Sequence, residues 1–245
     1  MKIVLINPNT TSSMTTKAAQ TARSVAAAGT VIVERTPSMG PVSIEGYYDE
    51  VFSIPGLIAE MQAEPDADGF IIACFDDTGL DAARCITAAP VVGIGEAAFH
   101  FAALLGAEFA VVTTLSRSIP ALKHNLLKYG LAHKCAKVRA AEVPVLELEK
   151  EGSEACGKIS SVIEQCIKAD GAEVIVLGCA GMTDLATQLS MQHGVPVVDG
   201  VVSAVKLIEG LVSVGLKTSK IGGYAKPLAK PYLGAMEGFA PHDKL

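Results

Sequence analysis

Two of the six cysteines, Cys74 and Cys179, hold matching positions in two similar stretches of the sequence. Residues 69–74 read Gly-Phe-Ile-Ile-Ala-Cys and residues 174–179 read Val-Ile-Val-Leu-Gly-Cys, and a polar turn and a helical pattern follow each stretch. A thiol between the end of a strand and the start of a helix ionises readily, because free backbone N–H groups and the helix dipole stabilise the anion. Such a thiolate can remove a proton from a substrate.

Two thiols on opposite faces of one carbon atom can work together as a base and an acid. One removes a proton as a thiolate and the other returns a proton to the opposite face, which inverts a stereocentre without metal, pyridoxal phosphate or nucleotide. Backbone N–H groups beside Gly79 and Gly181 can stabilise the enolate formed in such a step. A single cysteine at a strand end is more often simply packed, but two at equivalent positions favour a functional pair.

The elements that must position these thiols follow an alternating pattern of strands and helices. Continuous apolar runs predict strands at residues 2–6, 31–33, 69–74, 90–94, 108–113, 138–145, 173–177 and 195–198. Helical patterns lie between them, at residues 15–28, 49–63, 95–105, 120–129, 157–169, 184–193 and 200–214. This alternation predicts an α/β fold with parallel sheets, in which ligands bind outside the carboxyl ends of the strands.

The repeat around the two cysteines predicts two related lobes. Cys179 lies 105 residues after Cys74, and each is followed by another apolar strand and a second helix. We therefore expect two pseudosymmetric α/β lobes, each a parallel sheet flanked by helices, with the active site in the cleft between them. The predicted boundaries give a first lobe of residues 1–97 plus about 203–245 and a second lobe of residues 98–202.

Composition and charge exclude several classes of protein. Of the 245 residues 50% are hydrophobic and 19% are charged, which argues against disorder, and the net charge of −6 argues against a nucleic-acid partner. Every stretch of 18 residues contains a charge, so no transmembrane helix is expected. The sequence shows no Cys-x-x-Cys pair, no histidine at metal-ligand spacing and no glycine-rich phosphate loop. We expect a cytoplasmic protein without metal, cofactor, nucleic-acid or membrane partner.

Several separated motifs, in the same order along the chain, resemble those of one known family. They are Val-Leu-Ile-Asn-Pro-Asn-Thr-Thr at residues 4–11, Ser-Ile-Glu-Gly at 43–46, Ala-Cys-Phe-Asp-Asp-Thr-Gly at 73–79, Val-Val-Thr-Thr at 111–114, Gly-Cys-Ala-Gly-Met at 178–182 and Pro-Val-Val-Asp-Gly at 196–200. This set resembles the hydantoin racemase branch of the aspartate/glutamate racemase superfamily. The resemblance covers residues 3 to about 220.

The resemblance implies a cofactor-independent racemisation of 5-substituted hydantoins between two lobes. Carried over to matching positions, Cys74 and Cys179 are the catalytic acid/base pair. The substrate-binding residues expected on the same basis are Asn9, Ser43, Ile44, Glu45, Phe75, Asp76, Thr113, Thr114, Ala180 and Gly181. We also expect Asp76 and Asp77 to cap the helix that follows them, since aspartate favours helix N-termini.

Departures from the neighbouring branches favour a neutral substrate. Aspartate and glutamate racemases are expected to carry Cys-Asn-Thr after the first thiol and Cys-Thr-His after the second, whereas this chain has Cys74-Phe75-Asp76 and Cys179-Ala180-Gly181. The two acidic residues after the first thiol, Asp76 and Asp77, are expected to repel a dianionic amino acid, unless one serves as a helix cap, whereas a neutral ring urea is not repelled. Allantoin is itself a 5-substituted hydantoin, so an allantoin racemase is a sibling interpretation.

Other functions remain open from the sequence alone. An aspartate/glutamate-type racemase, a one-thiol decarboxylase or isomerase, and a non-catalytic module that binds small molecules all suit two α/β lobes with a cleft. The partner is expected to be a small-molecule substrate. We expect a homo-oligomer, and the segment at residues 226–230, rich in lysine and proline, is either plain surface or a subunit contact.

Overall fold

The computed structural model describes residues 1–150 and 153–241, which form two four-stranded parallel sheets. Residues 242–245, at the end of the predicted first lobe, lie outside the described part. The first sheet has the order β2-β1-β3-β4 and the second has the order β6-β5-β7-β8, so the two sheets share one topology. The predicted α/β fold with two pseudosymmetric lobes is confirmed.

The strands of each sheet are short, and the central ones are buried except at Lys2, the first residue of β1. The first sheet consists of β1 (Lys2–Ile6), β2 (Val31–Arg35), β3 (Gly69–Ile72) and β4 (Val91–Gly93). The second consists of β5 (Phe109–Thr113), β6 (Cys135–Ala140), β7 (Val174–Gly178) and β8 (Val197–Val198). β1 pairs with β3 and β5 pairs with β7 in parallel, as continuous apolar strands covered on both faces do.

Eight α-helices surround the sheets within the described residues. They are α1 (Ser12–Val25), α2 (Tyr47–Gln62), α3 (Leu80–Ile86), α4 (Ile94–Leu105), α5 (Ile119–Lys128), α6 (Ala155–Asp170), α7 (Ala186–His193) and α8 (Gly200–Ser213). The sixth strand begins three residues and ends five residues earlier than its prediction, which placed it at residues 138–145. None of the described helices is long and apolar enough to cross a membrane.

One apolar core joins the two lobes. It contains side chains from both sheets together with those of α4 and α8, and the aromatic ring of Phe99 on α4 stacks on Phe109 of β5 with ring centres 6.0 Å apart. α8 follows the second sheet in the chain but packs against α1 and α4. The lobe boundaries at residues 97 and 202 stay a prediction.

Candidate active site

Cys74 and Cys179 line one cavity between the two lobes, at the carboxyl ends of β3 and β7. These are the third strands of their sheets, so the two cysteines hold equivalent places. The first lobe contributes Asn7, Asn9, Met14, Ile44, Ala73, Cys74, Phe75 and Asp76 to the wall. The second lobe contributes Thr113, Thr114, Ser118, Val145, Gly178, Cys179 and Ala180. The repeat seen in the sequence therefore brings its two thiols to one site.

Each thiol interacts with a backbone N–H group two residues further along the chain. The Gly181 N–H donates to Cys179 Sγ at 3.4 Å, and the Asp76 N–H makes the equivalent contact with Cys74. Cys74 Sγ also lies 3.3 Å from Thr78 Oγ1. Cys179 leads directly into the 3₁₀ turn Ala180–Met182, whereas Cys74 leads into a turn in which Asp77 N donates to the Cys74 carbonyl oxygen at 3.0 Å. Hydrogen bonds to sulfur favour the thiolate, so both turns support a proton-abstracting group.

Cys74 nevertheless lies in an environment that disfavours its ionisation. Burial raises the pKa of the Cys74 thiol, the charge of Asp76 raises it further, and Glu50 on α2 adds a smaller effect in the same direction. The hydrogen bonds with Thr78 and the Asp76 N–H oppose this rise. At neutral pH the proton therefore stays on Cys74 in the substrate-free site.

The carboxyl group of Asp76 is itself perturbed. Burial raises its pKa to about 7, with contributions from the charges of Glu50 and Asp77. Glu50 has a raised pKa for the same reason, and its Oε1 atom is buried without a hydrogen-bond partner in the described part of the chain. Asp76 in the cavity wall and Glu50 on α2 therefore both act on Cys74, and the low dielectric around them disfavours their joint ionisation.

Asp77 does not cap α3, the helix that follows it, and here the sequence prediction is wrong. Its carboxylate accepts hydrogen bonds from Gly95 N at 2.9 Å and Glu96 N at 2.8 Å, at the start of α4. The hydroxyl of Tyr129 donates a third bond at 2.7 Å. α3 begins instead after Gly79, which has a left-handed φ of 74° and no side-chain cap. Asp77 thus anchors the Cys74 turn to both lobes.

Asn9 presents a hydrogen-bond donor to the cavity. Its Oδ1 atom accepts bonds from Asn7 Nδ2 at 2.8 Å and Thr11 N at 2.9 Å, which fixes the orientation of the amide. Among the described residues, its Nδ2 atom has the weak acceptor Met14 Sδ, at 3.7 Å, as its partner. Asn7 is committed to the turn, since its Nδ2 also donates to Thr15 Oγ1 at 3.1 Å. Asn9 can therefore donate to a ligand carbonyl, whereas Asn7 holds Asn9 in place.

Hydroxyl groups of the second lobe face the same space. Thr113 donates to the Gly178 carbonyl oxygen at 3.2 Å and so ties β5 to β7. Thr114 is buried in the cavity wall, and its hydroxyl has no hydrogen-bond partner within the described residues. Thr114 is therefore the hydroxyl of this pair that is available to a ligand.

The motif at residues 43–46 contributes in two different ways. Ile44 lines the cavity, as expected from the resemblance. Glu45 accepts a hydrogen bond from Val145 N at 3.1 Å, so it connects the first lobe to the second beside the cavity. Ser43, Glu45 and Gly181 are not in the wall described above, and Phe75, Asp76 and Ala180 are in it.

Sequence reasoning missed several residues of the wall. Ser118 closely follows the Thr113-Thr114 motif, and its position near that motif could have predicted its place in the wall. Met14 and Val145 come from the first turn of α1 and from the segment after β6, and nothing in their local sequence marks them as cavity residues. Their placement depends on how the lobes meet, which a one-dimensional pattern does not contain.

The wall combines two thiols, amide and hydroxyl groups and apolar side chains, with Asp76 as its one carboxyl group and no lysine, arginine or histidine in the described residues. No three His, Cys, Asp or Glu side chains within residues 1–150 and 153–241 are grouped as metal ligands. This arrangement suits proton transfer at a neutral, carbonyl-containing molecule.

Comparisons with known proteins agree with this geometry. The family model described as Asp/Glu/Hydantoin racemase matches residues 3–208. A hydantoin racemase from Pseudomonas sp. (strain NS671) is 44% identical over 241 residues, which cover 98% of this chain and 97% of the relative. A hydantoin racemase from Rhizobium meliloti is 46% identical over 236 residues, which cover 96% of this chain and 98% of the relative.

A solved structure extends the likeness to three dimensions. The allantoin racemase from Klebsiella pneumoniae is similar with a TM-score of 0.95 and 42% sequence identity, over 99% of this chain and 100% of that chain. The fold, the nearly full-length identity and the family match point to one conclusion. The chain belongs to the Asp/Glu/hydantoin racemase family and is an isomerase, a racemase.

Proposed function

We propose that this protein racemises 5-substituted hydantoins without a cofactor, with Cys74 and Cys179 as its two acid/base groups. The observation that carries the proposal is the meeting of two equivalent strand-end thiols in one cavity between the lobes. A thiol on each side of the bound ring can reach opposite faces of C5. The curated hydantoin racemases at 44% and 46% identity support this choice of substrate class.

The reaction transfers two protons and leaves the protein unchanged in total charge. The thiolate of one cysteine takes the C5 proton, and the electron pair of the C–H bond moves into the ring to give an enolate. Asn9 Nδ2 and the Thr114 hydroxyl are the donors that stabilise the enolate oxygen. The thiol of the other cysteine then protonates C5 from the opposite face and becomes the thiolate. The reverse direction exchanges the roles of the two cysteines.

The charge of the wall supports a neutral ring as substrate. Besides the two cysteines, Asp76 is the ionisable group in the wall, and no cation balances an added carboxylate there. We infer that free aspartate and glutamate are poor substrates, because each would bring two negative charges to the carboxyl groups of Asp76 and Glu50. A neutral hydantoin pairs with amide and hydroxyl groups instead.

Allantoin is the second candidate substrate. The allantoin racemase from Klebsiella pneumoniae is 42% identical to this chain, close to the identities of the hydantoin racemases, so sequence likeness alone does not separate the two. Enzyme without additives is incubated with a pure enantiomer of 5-methylhydantoin, allantoin or aspartate, and optical rotation is followed. Decay to zero with the first two, and a constant signal with aspartate, is expected. If L-aspartate is turned over at a comparable rate, the protein is instead an amino-acid racemase.

Single replacements of the cysteines test the two-base reaction. Cys74→Ser and Cys179→Ser should each abolish inversion, since each direction needs a base and an opposing acid. In deuterium oxide, each variant should exchange the C5 proton of one enantiomer with retention, and the two variants should select opposite enantiomers. Cys156→Ser, at a half-buried cysteine outside the cavity wall, is the matched control with normal activity. Near-normal racemisation by either active-site variant would refute the mechanism.

The proposal also includes the cellular location and the oligomeric state of the protein. None of the six cysteines forms a disulfide bond in the described part of the chain, which supports a reducing, cytoplasmic location. We propose a homo-oligomer as well, because the segment after α8 carries exposed apolar side chains such as Leu228 and Leu233. Light scattering on the purified chain tests the assembly, and a mass of one chain of 25.4 kDa would contradict it.

A further inference from the structure

A side chain of the second lobe holds the turn that follows Cys74 in the first lobe. Asn125 lies on α5, which packs against β6 of the second sheet, and its Nδ2 atom donates a hydrogen bond to the Asp76 carbonyl oxygen at 2.8 Å. Asp76 is two residues after Cys74, and its N–H group is the one that contacts the Cys74 sulfur atom. The residue that supports the first thiol is therefore held from the opposite lobe.

The same contact occurs in the reverse direction at the second thiol. Lys17 lies on α1, which packs against β2 of the first sheet, and its Nζ atom donates a hydrogen bond to the Gly181 carbonyl oxygen at 2.8 Å. Gly181 is two residues after Cys179, and its N–H group donates to the Cys179 sulfur atom at 3.4 Å. Each lobe thus holds the carbonyl group at the same position of the other lobe's turn.

These crossed hydrogen bonds make the position of each thiol depend on the opposite lobe. A hydrogen bond within one lobe would fix a thiol only relative to its own sheet. Asn125 and Lys17 instead fix each turn relative to the sheet that carries the other cysteine. Inversion needs both sulfur atoms within reach of one carbon atom, whereas removal and return of a proton on one face needs a single sulfur atom. The crossed bonds therefore bear on inversion more than on proton removal.

A second contact from α5 keeps the first turn folded when the bond from Asn125 is absent. Tyr129, four residues after Asn125 and on the same side of the helix, donates to Asp77 Oδ2 at 2.7 Å. The Asp77 carboxylate is held by the start of α4 as well. Loss of the Asn125 donor should therefore displace the Asp76 peptide group without releasing the whole turn.

We propose that Asn125 and Lys17 are positioning residues for inversion, which hold Cys74 and Cys179 on opposite faces of C5 by crossed hydrogen bonds between the lobes. This rests on the proposed two-thiol reaction. Without the bond from Asn125, the Cys74 thiol moves away from C5 while Cys179 keeps its place. The enantiomer whose C5 proton faces Cys179 still gives this proton to the Cys179 thiolate. The same thiol, after exchange of its proton with the solvent, then protonates the enolate on the original face.

Deuterium exchange with each pure enantiomer of 5-methylhydantoin tests this assignment. Purified full-length Asn125→Leu, which is nearly isosteric and uncharged, is incubated in deuterium oxide, and NMR and chiral chromatography measure exchange with retention and inversion. The enantiomer that faces Cys179 is the one that Cys74→Ser still exchanges. For this enantiomer the ratio of retention exchange to inversion should rise about tenfold, because a displacement of about 1 Å costs up to about a hundredfold in rate. For the other enantiomer the ratio should not rise.

Lys17→Met should show the opposite selection, with a raised ratio for the enantiomer that faces Cys74. If the two contacts only stabilised the fold, each variant would lower inversion and exchange together, and neither ratio would change. Unchanged ratios, or a rise for both enantiomers in one variant, would overturn the proposal. Asn125→Gln keeps an amide donor and should return most of the normal ratio. If Asn125→Leu does not fold, Asn125→Ala removes the same donor.

Lys128→Met is the matched control. Lys128 also lies on α5 and also connects the lobes, through an ion pair with Asp81 on α3 at 2.6 Å. This pair holds a helix of the first lobe and not the carbonyl group of a catalytic turn. Both ratios should therefore equal those of the unaltered protein, and a raised ratio in this variant would show that any contact between the lobes has the same effect.

Alkylation of Cys74 tests the contact from Asn125 without any substrate. Asn125→Leu should raise the rate at which iodoacetamide modifies Cys74 about fivefold, as the loss of one hydrogen bond corresponds to, because a displaced turn brings water to a thiol that burial keeps protonated. The rate at Cys179, measured by mass spectrometry in the same sample, should not change. An unchanged rate at Cys74 would contradict the role of Asn125 whether or not hydantoins are turned over. Absence of racemisation in the unaltered protein would instead contradict the proposed function, so the two failures are distinguishable.

Discussion

Gly93, the last residue of β4, leaves room for the buried carboxyl group of Asp77. A Cβ atom added at Gly93 would lie 1.9 Å from Asp77 Oδ1, 2.5 Å from its Cγ and 3.0 Å from its Cβ. These three atoms are the nearest neighbours of the added methyl group, and they belong to the residue that anchors the Cys74 turn. Gly93→Ala is therefore a specific perturbation of that anchor.

The expected cost follows from the contacts that must change. Overpacking a buried site by one methyl group costs about 1–3 kcal/mol. A displaced Asp77 carboxylate also weakens its bonds to Gly95 N and Glu96 N, and hydrogen bonds to charged groups contribute about 1.5–3 kcal/mol each. We expect Gly93→Ala to lower the free energy of unfolding by about 3–5 kcal/mol, with partial loss of activity because the Cys74 turn moves.

Urea unfolding followed by circular dichroism measures the effect, and a second glycine gives the control. Gly210 lies in the interior of α8 with no atom within 4 Å of an added Cβ, so Gly210→Ala should raise the free energy of unfolding by about 0.5–1 kcal/mol. The same chemical change at two positions is thus expected to give opposite signs.

A double-mutant cycle identifies the cause. Asp77 has a positive φ of 53°, so Asp77→Gly suits the existing backbone and removes the three atoms nearest to the new methyl group. In the Asp77→Gly background, Gly93→Ala should cost less than about 1 kcal/mol, with the difference appearing as coupling between the two sites. If the cost is the same in both backgrounds, or if Gly93→Ala alone is neutral, the assigned role of Asp77 is wrong.

Two further predictions concern pH and thiol chemistry. Burial raises the pKa values of Asp76 and Asp77 to about 7, so the folded state keeps protons that the unfolded chain loses near pH 4. The stability that these groups contribute is complete below pH 4 and is lost as the pH rises towards 7. The urea concentration at the unfolding midpoint should therefore fall between pH 5 and pH 7.5, and this fall should be smaller in Asp77→Asn. Iodoacetamide should inactivate the enzyme, bound hydantoin should slow this loss, and a chelator should have no effect; inactivation by the chelator alone would contradict the thiol mechanism.

The sequence predicted the strands, the two lobes and the positions of the thiols correctly where a short local pattern determines the structure. The apolar stretches before Cys74 and Cys179 specified two buried strands, and their repetition specified two related lobes. Because side chains at the carboxyl ends of parallel strands share one edge of a sheet, the approximate position of both thiols followed as well. Phe75 and Ala180, their immediate neighbours, are in the cavity wall for the same reason.

Sequence patterns carried the least information where distant segments meet. Asp77 was expected to cap its own helix, but a helix N-terminus 18 residues away in the sequence takes its carboxylate. Glu45 faces the second lobe and accepts from Val145, a contact that spans 100 residues. Local propensity favours the nearest partner, whereas the packed structure also satisfies the buried N–H groups of α4. Such choices are made by tertiary packing.

The path of α8 has a consequence for the order in which a newly made chain can fold. Ile208 on α8 packs against Gly69 of β3, and Glu209 accepts hydrogen bonds from Ala27 N at 2.7 Å and Thr30 Oγ1 at 2.8 Å. The ribosome releases the first sheet and α1 long before it releases this helix, so the part of the sheet face that α8 covers stays exposed throughout synthesis of the second sheet. A chain arrested before residue 200 would expose that apolar face and require a chaperone to stay dispersed.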